Sequence, residues 1–353
     1  MSRAVSAGVE VLLVAVRETA GSALYGLLDV LGAAGSLWQT LLGETPGRGV
    51  FQVRIVAPMA VPFRCGHEIP VHPHVDVDSD PHADLVIIPE LWLAPDESLR
   101  GRYPGLVDWL RRRHAAGSTL CSACSGAVLL AETGLLDGRE ATSHWAYGGV
   151  FERDYPEVRF RPAPNLVFAD CRGRLLTAGG TTSWHDLALY LIARHAGPGE
   201  ALRIAKIYLM KWHAEGQLPY TPLVRRTLHA DGIVRRCEQW LADHYVQHDA
   251  IRTAIAMSGL PERTFKRRFR MATGCAPIVY LQNLRVEAAR RLLESNEQPV
   301  EAVGAAVGYE DASFFRRLFR RTTGVSPGEY RRMFQPLMEN AAHAAKGGDD
   351  RAA

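Results

Sequence analysis

Hydrophobic residues follow two different rhythms along the chain. Up to about residue 212, short unbroken apolar runs alternate with stretches of helical spacing. Residues 9–16 (V-E-V-L-L-V-A-V) are rich in β-branched side chains and predict a buried strand. Residues 50–57, 84–89 (D-L-V-I-I-P), 119–123, 166–169 and 175–178 predict further strands. Helices are expected between them, over residues 20–34, 103–116, 126–132, 183–195 and 199–212. The first carries Leu24, Leu27, Leu28 and Leu31 on one face. Strand–helix alternation of this kind builds a mostly parallel sheet covered on both faces.

The last third is helical in spacing throughout. In residues 299–332, Val300, Val303, Ala306 and Val307 recur on one face of a short helix. Gly308 ends it, because glycine accepts the left-handed conformation after a helix C-terminus. Asp311 or Ser313 can cap the next helix. That helix buries Phe315, Leu318 and Phe319 and turns Ser313, Arg316, Arg317, Arg320 and Arg321 outward. Gly324 closes it and Pro327 prevents its continuation. Two short helices about a tight turn, the second rich in arginine, make a helix-turn-helix with its recognition helix.

The same pattern occurs upstream. Phe265 and Phe269 precede Phe315 and Phe319 by 50 positions, Gly274 and Pro277 precede Gly324 and Pro327 by 50, and Gly259 precedes Gly308 by 49. Such a spacing marks an internal duplication. Residues 278–295 lie between the copies and place Val279, Leu281, Leu284, Ala288, Leu292 and Leu293 on the apolar face of one long connecting helix. The expected organisation is an α/β unit over residues 1–212, a linker over 213–230, an all-α unit with two helix-turn-helix motifs over 231–335, and a disordered tail over 336–353.

Charge sharpens this division. The whole chain carries a formal +3, yet residues 231–335 hold 17 Lys and Arg against 12 Asp and Glu, so the rest is slightly acidic. A basic excess confined to the duplicated segment is the electrostatic footprint of a duplex-DNA partner. No apolar run approaches the ~18 residues of a membrane span, and residues 9–16 read as a strand rather than a signal segment. No membrane partner and a cytoplasmic location are therefore expected. Six cysteines without regular spacing fit reduced thiols, and Cys65, Cys171, Cys237 and Cys275 lack zinc-site spacing. His72, His74, Asp76, Asp78, Asp80 and His82 read as a polar surface loop. Neither a metal nor a cofactor is expected.

Gly308, Tyr309, Asp311, Ser313, Phe315, Arg317, Phe319, Arg321, Gly324, Ser326, Pro327, Tyr330 and Arg331 together resemble the signature of AraC/XylS-type DNA-binding domains. Arg320 and Arg321 are both present, and either fills the family role. The outward residues expected to meet DNA are Glu262, Arg263, Thr264, Lys266, Arg267 and Arg270 in the first copy. In the second they are Ala312, Ser313, Arg316, Arg317 and Arg320. The resemblance also implies a homodimer, and RNA polymerase as partner of an activator.

Residues 122–131 (S-A-C-S-G-A-V-L-L-A) set Cys124 at a strand-to-helix junction, with His144 twenty residues on. A sharp turn there lifts a nucleophile above a sheet, with a helix N-terminus that favours a thiolate. The arrangement resembles the flavodoxin-like, class I glutamine amidotransferase-like fold in its PfpI/ThiJ branch, and the whole chain resembles the GlxA-type subgroup of AraC-family regulators. That branch supplies an acid from the loop after the first strand. Here Gly21 stands near that place and Glu18 several residues off. Where the branch has glycines after the third strand, this chain has Pro89, Glu90, Leu91 and Trp92. These departures favour a small-molecule effector pocket, with Glu90, Trp92, Cys124, His144 and Trp145 as its candidates, over a cysteine-dependent amidase or hydrolase. Trp92 and Trp145 would suit a cationic ligand, or serve as core and interface residues.

Overall fold

The structure, a computed structural model, describes residues 8–94, 97–224 and 229–336. The tail beyond 336 and part of the expected linker lie outside them. The chain divides into two compact units, Met1–Gln217 and Leu218–Ala353.

The first unit is built on seven strands: β1 (Val9–Val14), β2 (Phe51–Ala57), β3 (Val75–Asp76), β4 (Leu85–Ile88), β5 (Thr119–Ala123), β6 (Leu166–Phe168) and β7 (Leu175–Ala178). They lie in the order β6-β7-β5-β4-β1-β2-β3. Only the β6–β7 pair is antiparallel. In register, Leu13 faces Ile55 on one side and Ile87 on the other. Successive side chains alternate between two cores, as a two-residue period requires. Leu12, Val14, Val86, Ile88 and Leu120 meet Trp109 and Leu110 of the helix Pro104–Ala115 and the apolar face of Gly126–Glu132. Leu13, Ile55, Ile87 and Cys121 meet Leu24, Leu27 and Leu31 of Gly21–Ala33, and Leu187, Leu191 and Ile192 of Trp184–Ala196. Each fully buried aliphatic side chain stabilises by about 1.5–3 kcal/mol.

Two local expectations are corrected. The helix expected to reach residue 212 runs over Pro198–Ile207. Its last core residue is Ile204, and Leu209 beyond it is 90% exposed with a φ of +53°. Tyr208, Leu209 and Trp212 are exposed there and only Met210 packs partly against the core, while the His213 amide donates to the buried Asp186 carboxylate at 2.8 Å and draws the chain away. The stretch read as a polar loop supplies the sheet's edge, β3, with the His74 ring accepting from the Ile55 amide at 3.0 Å. A two-residue strand has too short a period to show in a sequence.

The second unit consists of the helices Gly232–Asp243, Ala250–Ser258, Glu262–Thr273, Pro277–Ser295, Val300–Ala306 and Ala312–Thr323, followed by a helix over 327–336. The duplication is visible atom by atom. Gly274 and Gly324 close equivalent twelve-residue helices at φ values of +80° and +81°. The Thr273 and Thr323 hydroxyls donate to the Phe269 and Phe319 carbonyls, both at 2.8 Å. Asp311, not Ser313, caps the second copy, accepting from the amides of Ser313 at 2.8 Å and Phe314 at 3.0 Å. Those backbone donors, together with the nearby Arg317, hold its carboxyl below the usual range. The face expected from Ala306 is also corrected. Ala306 is exposed and Gly304 is buried, where an added Cβ would come within 3.0 Å of the Phe315 ring. On the connecting helix Val279 is exposed, and Arg285 and Arg290 are buried among the apolar positions. None of the helices among the described residues is long and apolar enough to cross a membrane.

Candidate functional site

Two places carry chemistry, one at the carboxyl ends of β4 and β5 and one on the paired helices. At the first, the chain leaves β5 through Cys124 at a φ of +52°, a left-handed turn uncommon for a side-chain-bearing residue. Its amide is held by the Ala178 carbonyl at 3.0 Å. Gly126 follows because an added Cβ would lie 2.4 Å from both the Ile88 and Pro89 carbonyl oxygens. The Ser125 hydroxyl exchanges bonds with Leu91, accepting from its amide at 2.8 Å and donating to its carbonyl at 2.5 Å. The sharp turn is thus imposed by packing on the loop after β4.

That loop delivers the acid. Glu90, 6% exposed, places Oε1 3.5 Å from the Cys124 sulfur and accepts from the Thr181 hydroxyl at 3.2 Å. Glu18, the acid sought near the first strand, is committed elsewhere, to Arg102 at 2.6 Å and to the Tyr103 hydroxyl. The acid beside the cysteine therefore comes from the loop after β4, at the pocket candidate Glu90, and not from the loop after the first strand. A thiolate, which the helix N-terminus alone would favour, is not what this surrounding supports. Cys124 is 1% exposed, and burial first, then the nearby Glu90 charge, push its pKa well above the ordinary thiol range. Burial also raises Glu90, against the hydrogen bonds from Cys124 and Thr181. Tyr147, whose hydroxyl donates to the Leu93 carbonyl at 3.0 Å, is pushed up by burial to about 12. A seven-residue helix behind the sulfur does not outweigh this desolvation. The pair is a protonated thiol donating to a carboxyl group.

The remaining expected residues divide. His144 and Trp145 stack on each other with ring centroids 4.7 Å apart, and His144 neighbours Tyr147 at 6.2 Å. Trp92 is 51% exposed and stands edge-on to His67 at 4.9 Å, so its indole does not join the group. Residues absent from the sequence reading complete the cluster. The Ser143 hydroxyl donates to the Cys124 carbonyl at 2.7 Å, and Gly179, Gly180 and Thr181 form the turn after β7. The T-A-G-G-T-T-S run at a strand's carboxyl end was the available signal.

This geometry makes a chemical prediction. Iodoacetamide at pH 7–9 should label the exposed Cys171 and leave Cys124 unmodified in the folded protein, as read by peptide mass spectrometry. Labelling of Cys124 ahead of Cys171 at pH 7 would contradict the protonated, buried thiol.

On the paired helices, Glu262, Arg263, Lys266, Arg267 and Arg270 are exposed in the first copy and Thr264 is half-buried. In the second, Ser313, Arg316, Arg317, Arg320 and Arg321 are exposed and Ala312 is half-buried. Lys266 pairs with Glu262, and Arg316 with Glu301 of the preceding helix. Among the described residues, Arg263, Arg267, Arg270, Arg317 and Arg320 form no ion pair, whereas Arg268 is spent on the Asp231 cap at 2.9 Å. Phe314, 40% exposed between Ser313 and Phe315, also stands outward; the alternation of buried and exposed aromatics hid it in the sequence.

Fold and site together define a DNA-binding helix-turn-helix protein with an α/β unit. The model of a helix-turn-helix domain matches residues 255–333, and that of the DJ-1/PfpI family matches residues 37–194. The chain is 31% identical over 249 residues to the HTH-type transcriptional regulator CdhR of Pseudomonas aeruginosa, covering 70% of this chain and 72% of that one. It is 27% identical over 224 residues to the HTH-type transcriptional regulator GlxA of Rhizobium meliloti, covering 63% and 68%. A crystal structure of an AraC family transcriptional regulator from Pseudomonas putida aligns over 57% of this chain and 99% of that one, with a TM-score of 0.46 and 19% identity. The chain belongs to the AraC-type transcriptional regulators of the GlxA kind, which join a DJ-1/PfpI domain to a helix-turn-helix domain.

Proposed function

We propose that this regulator reads DNA with both recognition helices at once and takes a small-molecule effector beside the Glu90–Cys124 pair, without catalysing a reaction. The observation that carries the sensor half is the buried thiol. A nucleophile needs to be ionised and reachable, and Cys124 is neither. Glu90, Thr181 and His144 then serve as polar groups that orient a ligand at the carboxyl ends of the strands, where open α/β sheets bind ligands. Trp145 offers an aromatic wall for a cationic group. The protein acts in the cytoplasm as a homodimer, with RNA polymerase as partner where it activates.

For DNA, two helices held by one connecting helix enter major-groove segments about one helical turn, ~34 Å, apart. Residues near the helix N-termini reach base edges, and those further along meet phosphate. Arg263, and Ser313 or Arg316, are the base readers; Arg267, Arg270 and Arg320 contact phosphate. Arg316 has to leave Glu301 to serve.

The test is fluorescence anisotropy on matched and mismatched duplexes over a salt series. Arg263→Ala should cost about 1–3 kcal/mol and relax preference at one base position. Arg270→Ala should weaken all sequences alike and lower the salt slope by about one. Indistinguishable effects of the two variants on mismatch discrimination and salt slope would overturn the assignment.

A further inference from the structure

The outward face of the second recognition helix, Ala312–Thr323, carries one aromatic side chain among its arginines. Phe314 is 40% exposed, while Phe315 and Phe319 on the same helix are fully buried. A lone apolar side chain at a surface is ordinary. The place and the fixing of this one are not. It is the third residue of the helix, in the turn capped by Asp311, whose carboxylate accepts from the Ser313 and Phe314 amides. Its ring lies 5.7 Å from that of Tyr309. Tyr309 is itself nearly buried, stacked on Phe315 at 5.8 Å and covered by the Arg285 guanidinium at 5.0 Å. One flank of the Phe314 ring is thus seated on a fixed neighbour and the rest faces outward. An aromatic side chain held in this way loses little rotamer freedom on meeting a partner.

The residues around it indicate the partner's chemistry. Ser313 precedes it, and the exposed Arg317 and Arg321 follow along the same side of the helix. Such a surface complements the phosphates of a duplex. Phosphates, however, offer a phenyl ring nothing. In the major groove the base edges present hydrogen-bond donors and acceptors, with one apolar group among them, the C5 methyl of thymine. The first copy carries Thr264 at the equivalent point, 50 positions upstream, half-buried and without aromatic reach. The two modules therefore differ here, and the difference is an apolar surface on the second.

We propose that Phe314 is a specificity-determining residue whose ring packs on a thymine methyl in the major-groove segment read by Ala312–Thr323. This rests on the reading that the first turn of each recognition helix faces base edges. It adds what the polar readers lack. A hydrogen-bonding side chain such as Ser313 recognises the polar edge of a base without sensing whether a pyrimidine carries a methyl group, whereas a seated phenyl ring senses little else.

The full-length protein is titrated by anisotropy against the duplex it selects from a random pool. It is then titrated against copies in which each thymine in turn is replaced by deoxyuracil, which removes the methyl and keeps every hydrogen-bonding group. Wild type should lose about fourfold in affinity at one thymine inside its footprint, the effect of one methyl group kept from water. Phe314→Ala should bind the thymine and uracil duplexes equally at that position and respond as wild type does to replacement elsewhere. Phe314→Leu, closer in volume, should also lower the ratio, and it serves where the alanine variant fails to fold. A loosened module, or loss of a contact with a protein partner, weakens both duplexes alike, so the ratio of the two affinities separates a methyl contact from packing. The contact is overturned if no thymine in the footprint shows more than a twofold methyl effect with wild type, or if the Phe314 variants keep the wild-type ratio. Ser313→Ala on mismatched duplexes keeps the two failures apart. Altered mismatch discrimination in that variant, without any methyl effect in wild type, would leave the orientation of the helix standing and remove Phe314 from its readers.

Discussion

Phe269→Ala and Phe319→Ala should each destabilise the helical unit by about 3–5 kcal/mol, the cost of emptying a fully buried phenylalanine site. Both rings have no exposed surface and sit at equivalent points of the duplication. Phe269 packs between Phe265 at 5.5 Å and Tyr280 at 5.3 Å, and Phe319 between Phe315 at 5.8 Å and Tyr330 at 5.6 Å. Each belongs to a separate apolar cluster, so each truncation opens a cavity in one module. Against a total domain stability of about 5–15 kcal/mol, this is a large fraction. Urea denaturation followed by far-UV circular dichroism reads the effect, the relevant transition being the one that DNA shifts to higher urea. Loss of DNA binding should track that unfolding. Two variants with unaltered midpoints and slopes would show that these rings are not the cores of their modules.

Arg285→Met should cost a similar amount, about 3–5 kcal/mol, for a different reason. Arg285 is buried on the connecting helix, and its guanidinium donates to the carbonyls of Tyr245 at 2.7 Å, Gly308 at 3.0 Å and Gln247 at 3.0 Å. It also lies over the Tyr309 ring at 5.0 Å. These bonds tie the loop after the unit's first helix to the turn of the second helix-turn-helix. Gly308 sits in that turn at a φ of +89°, with room for no Cβ, which would be 2.6 Å from the Val246 oxygen. Methionine fills similar volume but leaves several backbone acceptors without donors, at about 1–3 kcal/mol each. Lysine should rescue little, because a single ammonium cannot span the fork of a guanidinium. A change below about 1 kcal/mol in the same urea experiment would show that the network is solvated rather than structural.

The helical unit was legible because its information is local and repeated. Phenylalanines four apart, glycine after the last turn and proline beyond it recur at a fixed offset, and each element follows from neighbours within a few residues. Misreadings there concern faces. Ala306 and Val279 have the right spacing for burial, yet the side chains that meet these helices come from elsewhere. Phe315 takes the space over Gly304, and the connecting helix is enclosed so far round that two arginines become interior residues. No periodicity distinguishes an arginine that donates to distant carbonyls from one facing solvent.

In the α/β unit the strands and the sharp turn at Cys124 were legible in apolar runs and in a cysteine two residues before a glycine. Chemistry at that turn was not, because it depends on groups far apart in sequence. Glu90 meets Cys124 across 34 positions and Thr181 across 91, and burial, a property of the whole fold, decides that the sulfur keeps its proton. Pattern and spacing thus determined by themselves that this protein has an α/β unit, a duplicated helix-turn-helix and a basic reading surface, since those follow from periodicity and charge along the chain. Only tertiary structure decided which acid faces the cysteine and which arginines of the paired helices are taken up in ion pairs, because these are contacts between residues that the sequence keeps apart.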